Sequence, residues 1–133
     1  MEVGAVARRG ERAQATVELA LVLPVLLLLV LGIVEFGRLY SDQLILQNAA
    51  REGVRVAAVG GSDSQVRDRV LASAPGLDPN ALAVTVTRDT ASKLVTVSLQ
   101  YPVTWLSGFM AGLAGGGTIT LRASAAMSYA FGP

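Results

Sequence analysis

The sequence contains no cysteine and no histidine. Without cysteine there is no disulfide framework, and cysteine usage gives no reading of the redox compartment. Thiolate and imidazole metal sites are excluded, as is catalysis by a cysteine nucleophile or a histidine base. A hard cation can be held by carboxylates alone, but the 10 Asp and Glu residues are not clustered, so neither a metal nor a cofactor is expected. Charge is also scarce, at 16% of residues with a formal net charge of +1. No basic field points to nucleic acid as a partner. The run Gly115-Gly116-Gly117 lacks both the GK[ST] ending and the G-x-G-x-x-G spacing of phosphate-binding loops, so it reads as a flexible connector. There is no internal repeat.

What the chain has in excess is apolar residues, 52% of the total, with a mean hydropathy of +0.51. The excess is concentrated in Leu19–Val34, LALVLPVLLLLVLGIV, 16 residues without a charge. As a helix this run covers about 24 Å at the usual rise, and Ala15, Thr16, Val17 and Phe36 extend it toward the thickness of a bilayer core. Arg8, Arg9 and Arg12 precede it, which places the N-terminus on the cytoplasmic side. A cleaved secretory signal needs small residues at fixed positions after the apolar core. Here the core is followed by Gly32-Ile-Val-Glu-Phe-Gly-Arg38 with no A-x-A, so a retained anchor is the preferred reading. Pro24 lies within the run, where it must kink the helix or remove one of its hydrogen bonds.

Helical periodicity continues beyond the anchor through Tyr40, Leu44, Leu46, Ala49, Ala50, Val54 and Ala57 until Gly60-Gly61 supplies a stop. Residues 14–60 therefore read as one helix, with a leader at 1–13 and a head at 61–133. Within the head, Ser62–Ala74 has the signals of a short helix, with Ser62 or Ser64 as its cap and Val66, Val70 and Leu71 on one face. Leu82, Val84 and Val86 alternate with threonines as a strand. Val95, Val97, Leu99 and Tyr101 form its hairpin partner across a turn at Asp89–Ser92. Ile119, Leu121, Ala123, Ala125 and Met127 form a third strand. A three-stranded antiparallel sheet needs a cover on its apolar face, and the second half of the long helix is the available one. The expected fold class is α+β and pilin-like, a long N-terminal transmembrane helix packed on a small three-stranded antiparallel sheet. Trp105, Phe109 and Leu113 recur every four residues between the second and third strands. They read as a lid on the open end of the sheet, with a patch for membrane or a neighbouring subunit as the alternative.

The pieces VELALVLP, GIVEFGR and LQNAAREGVRVAA, in this order within Gln14–Gly60, resemble the N-terminal segment of the TadE-like family, pseudopilins of the tight-adherence (Tad/Flp) pilus systems. Beyond residue 61 the likeness is architectural only. The resemblance implies a minor pilin or pseudopilin, inserted with its N-terminus in the cytoplasm and trimmed by a prepilin peptidase. It also implies a role in assembling an adhesive filament, with other pilin subunits and an inner-membrane assembly platform as partners. In the family pattern the cut leaves a glutamate as the fifth residue of the mature chain. Glu18 holds that place if the cut falls between Ala13 and Gln14. The family has Gly before the cut where this chain has Ala13, and cutting after Gly10 would put Glu18 eighth. The leader is thus either trimmed or retained.

Glu18 is the first candidate site residue. A carboxylate at the edge of an apolar run costs roughly 2.5–3.5 kcal/mol if carried to mid-bilayer. It reads either as a snorkelling interfacial residue or, as the resemblance favours, as a charge that pairs with a freed N-terminal amine during assembly. Ala49, Gly53 and Ala57 place three small residues on one helix stripe. Packing on the protein's own sheet is preferred there over packing between subunits. Glu35 with Arg38, and Glu52 with Arg55, read as solvated pairs spaced by three. No nucleophile has a base partner, so an enzyme is not expected. Two functions remain, a pilin-like subunit and an uncleaved single-pass scaffold of an envelope complex. Both put the head outside the cytoplasm.

Overall fold

The computed structural model describes residues 3–129, with side chains from residue 8. Helix α1 runs over Val3–Ala58 and passes through two compact units, one ending at Phe36 and one beginning at Gly37. It starts upstream of the expected Gln14, because residues 5–13 are good helix formers interrupted only by Gly10. Pro24 sits inside α1 without ending it, so the Ala20 carbonyl lacks its usual N–H partner one turn on.

In the first unit every residue from Arg8 to Leu31 is exposed within the chain. The apolar run therefore presents leucine and valine on all sides, as a helix in lipid does.

The second unit begins with the last third of α1. Helix α2 follows at Asp63–Ala72, then β1 at Ala83–Asp89, β2 at Leu94–Thr104, α3 at Gly108–Leu113 and β3 at Thr118–Ser128. The sheet order is β1-β2-β3 and both pairings are antiparallel. The register sets Val84 opposite Leu99 and Val86 opposite Val97, and Leu99 opposite Ala123. The expected alternation thus places one apolar face across all three strands. Leu46, Ala49, Ala50, Val54, Ala57 and Ala58 of α1 close on that face together with Val66 and Val70 of α2, in one cluster with Val95, Val97 and Leu99. Tyr40 and Leu44, which share the sequence periodicity, remain exposed at 68% and 44%.

The element ends follow local chemistry. α1 stops in a Schellman arrangement: the Gly60 N–H donates to the Ala57 carbonyl and the Gly61 N–H to that of Val56, with Gly60 at φ +87°. Ser62 caps α2 and exchanges hydrogen bonds with Gln65 as a capping box. In the hairpin, Asp89 accepts from the N–H of Ala91 at 2.9 Å, and Lys93 takes the left-handed conformation that returns the chain to β2.

The expected lid is not formed. α3 has no buried residue, and of the three residues expected to form it Phe109 and Leu113 are 50% and 69% exposed while Trp105 is half-buried; Leu106 is also exposed, at 66%. Val103 at the end of β2 is buried, as are Ala74, Leu77 and Leu82. The solvated reading of Glu35 is also corrected. Its side chain is 1% exposed, and a carboxylate so far from water is retained only when it is engaged.

Candidate functional site

The candidate residues fall into two groups that the structure does not bring together. Ala13, Gln14 and Glu18 lie on the exposed first half of α1. Ala49, Gly53 and Ala57 lie in the core of the second unit.

The peptide bond between Ala13 and Gln14 sits well inside α1. Four residues on, the Glu18 carboxylate accepts from the Gln14 side-chain amide at 3.4 Å, the long limit of such a bond. Upstream, the Thr16 hydroxyl donates to the Arg12 carbonyl at 2.9 Å, which turns a polar group back onto the helix at the edge of the apolar run. Cations one turn from Glu18 would have to stand at positions 14, 15, 21 or 22. Those positions are Gln14, Ala15, Leu21 and Val22. Arg12 is six residues away, and among the described side chains no cation pairs with Glu18. Val17 and Leu19 beside it are 59% and 60% exposed, so the carboxylate stands at the head of an exposed apolar surface, with no cation paired to it among the described side chains.

The small-residue stripe is occupied within the chain. A Cβ on Gly53 would lie 2.6 Å from a γ-methyl of Val70 and 3.3 Å from one of Val97. Gly53 thus lets α1 approach α2 and β2 at once, and the stripe is not open to another subunit.

Beyond the expected pairing of Glu52 with Arg55, several charged contacts escaped the sequence reading. Glu52 pairs weakly with Arg55 at 3.9 Å and closely with Arg69 of α2 at 2.8 Å. The Arg69 hydrogen bond, reinforced by the charges of Arg55 and Arg69, holds the Glu52 carboxyl below its ordinary value. Bonds from Ser92 and Ala91 do the same for Asp89. Arg88 continues the inward-facing series Val84, Val86, and it pairs with Asp63 and donates to the Gly61 carbonyl at 2.9 Å. This ties the end of β1 to the start of α2. Arg38 donates to the Thr104 carbonyl at the end of β2, and Gln43 to the Arg122 carbonyl of the edge strand β3 at 2.8 Å. Only spacing within one helix is visible in a sequence, so partners 17 to 79 residues apart left no signal there.

Among the described residues no group of three or more acidic side chains gathers to hold a metal. The outer face of the sheet has a depression lined by Ser98, Gln100, Arg122 and Ser124. Its two serine hydroxyls are 3.4 Å apart and no carboxylate lines it. A cleft of about 220 Å³ beside Arg38, Asp42, Tyr101 and Thr104 holds one carboxylate.

Among the described residues, these features define one helix compatible with a single membrane crossing and a small α+β head. Residues 13–55 match the TadE-like protein family, which confirms the resemblance over the segment that holds Ala13, Gln14, Glu18, Ala49 and Gly53. A TadE-like segment points to involvement in the Tad pilus system and to association with its components. Neither the curated proteins nor the solved structures gave a match.

Proposed function

We propose that this protein is a minor pilin-like subunit of a Tad-type pilus or secretion system, anchored by residues 19–34 with its N-terminus cytoplasmic and its head extracytoplasmic. It acts as a structural subunit in filament assembly and adhesion rather than as an enzyme. Its partners are membrane lipid, other pilin or pseudopilin subunits, the prepilin peptidase and the inner-membrane assembly platform.

The observation that carries this reading is Glu18, a carboxylate at the start of a charge-free apolar helix, inside the TadE-like segment, with only a 3.4 Å amide contact. Such a group is costly in lipid until a cation reaches it. A Gln14 amine freed by cleavage lies one turn back in the same chain, and the same amine of an adjacent subunit is reachable between staggered helices.

A second reading is an uncleaved scaffold of an envelope complex. It is favoured by Ala13 in the place where the family pattern has glycine, and by the continuity of α1 through the Ala13–Gln14 bond.

The two readings part on Glu18→Ala. As a pilin-like subunit the variant inserts normally, but its ratio of filament-bound to membrane-bound protein falls, with Glu18→Asp intermediate. Equal incorporation of wild type and Glu18→Ala would return Glu18 to an interfacial residue. N-terminal sequencing of protein from native membranes then separates a chain starting at Gln14 from an uncleaved one.

A further inference from the structure

The apolar side chains of α3 and of the residue pair before it are largely exposed. Leu106, Phe109 and Leu113 are each at least half exposed, beside a half-buried Trp105. Single exposed apolar residues are ordinary, but three large ones within eight positions form a patch that marks an interaction site. What covers the patch follows from where it is tied. Thr104, the residue before Trp105, accepts through its carbonyl from Arg38. Arg38 is only four positions beyond Val34, where the charge-free run ends. The end of the sheet that carries α3 is therefore fastened to the stretch of α1 that leaves the apolar run.

Composition points the same way. From Leu94 to Leu121 there are 28 residues without Asp, Glu, Lys or Arg, so α3 and both its connections can approach a headgroup layer without stripping water from a charge. Aromatic residues favour the membrane–water boundary. Of the 7 in the chain, Phe36, Tyr40, Tyr101, Trp105 and Phe109 fall in these two stretches, and Phe36 and Tyr40 are 65% and 68% exposed.

We propose that α3 is a membrane-surface anchor: Leu106, Phe109 and Leu113 insert into the outer boundary of the bilayer that α1 crosses, with Trp105 at the headgroup level. The inference rests on α1 spanning the membrane. It adds a second point of attachment, which restrains rotation of the head about its helix while the subunit is in the membrane. An interfacial apolar face of this kind sits about 5–10 Å into the headgroup and acyl boundary.

Trp105 is the only tryptophan in the chain, so its fluorescence reports on this site alone. The full chain is reconstituted in phosphatidylcholine vesicles carrying bromine at a shallow or a deep acyl position. Flotation with the vesicles after a carbonate wash tests the span separately. The expected result is co-flotation, blue-shifted emission and stronger quenching by the shallow bromines than by the deep ones. The variant Leu106→Ser, Phe109→Ser, Leu113→Ser should float equally, lose that quenching and shift to the red. It should keep the thermal transition of the head, because all three substituted side chains are at least half exposed. Co-flotation without quenching of the wild type would overturn the inference and leave the span standing. Equal quenching of wild type and variant would mean that Trp105 is merely near lipid, and would also overturn it. Blue emission that depends on protein density, without quenching, would assign the patch to a second copy instead. Failure to float would remove the span and this inference together.

Discussion

The two ends of helix α1 obey the same backbone rules and meet opposite environments. Leu19–Val34 is built from large aliphatic residues around its whole circumference, and from Arg8 to Leu31 none is covered by the chain. Between Leu46 and Ala58 the buried positions are mostly small, Ala49, Ala50, Gly53, Ala57 and Ala58, and they form one stripe. In lipid there is no gain from hiding leucine against protein, so a uniformly apolar surface is stable there. Against a sheet, close approach matters more than side-chain size, and the helix gives up volume where Val66, Val70 and Val97 fill it. The difference between the halves lies in side-chain size and pattern rather than in helix propensity.

The largest effect expected from this contrast comes from dividing the chain. A fragment beginning at Gly37 keeps the helical cover of the sheet and should give a soluble, cooperative thermal transition. One beginning at Ser62 loses Leu46, Ala49, Ala50, Val54 and Ala57 from the core and should be aggregated or disordered, since three strands with an open apolar face do not stand alone. A sharp transition in the shorter fragment would break the comparison.

Single substitutions sharpen it. Gly53→Ala adds a methyl 2.6 Å from Val70 and should cost about 1–3 kcal/mol through overpacking, despite the better helix propensity of alanine. Leu26→Ala, in the exposed half, should leave the denaturant midpoint of the head unchanged. Equal shifts for the two would mean that the halves are not distinct environments.

A smaller effect follows from Glu52. Its folded pKa is depressed by Arg69. The stability it contributes is therefore present above its unfolded value near 4.5 and lost as pH falls through the lower folded value. The melting temperature of the Gly37 fragment should decline on acidification in that window. Glu52→Gln should flatten part of the decline, and Asp89, also depressed, should account for another part. The pair is solvent-exposed, so the change should be modest and should weaken with salt.

Much of the fold was legible because it rests on periodicity. The 16-residue run, the alternation of β1 to β3 and the glycines after Ala58 each have a direct physical reading. The family-matched segment was legible for the same reason, through VELALVLP and LQNAAREGVRVAA. What was missed depends on long-range geometry. Trp105, Phe109 and Leu113 have helical spacing whether they face a core or solvent, and the spacing alone does not tell that Phe109 and Leu113 stay exposed while Trp105 is half-buried. Glu52 has a plausible partner in Arg55 three residues away, but α2 brings Arg69 closer. Glu35 looked like half of a surface pair because nothing in GIVEFGR indicates burial.

The central claim, that one helix serves lipid in its first half and the head in its second, is open to a direct test because the chain has no native cysteine. Single cysteines at Glu11, Leu26 and Gln47 can be probed with a membrane-impermeant maleimide before and after lysis of spheroplasts. The account expects Gln47→Cys to label in intact spheroplasts, Glu11→Cys only after lysis, and Leu26→Cys in neither case until detergent is added. Labelling of Leu26→Cys in intact spheroplasts, or of Gln47→Cys only after lysis, would contradict it.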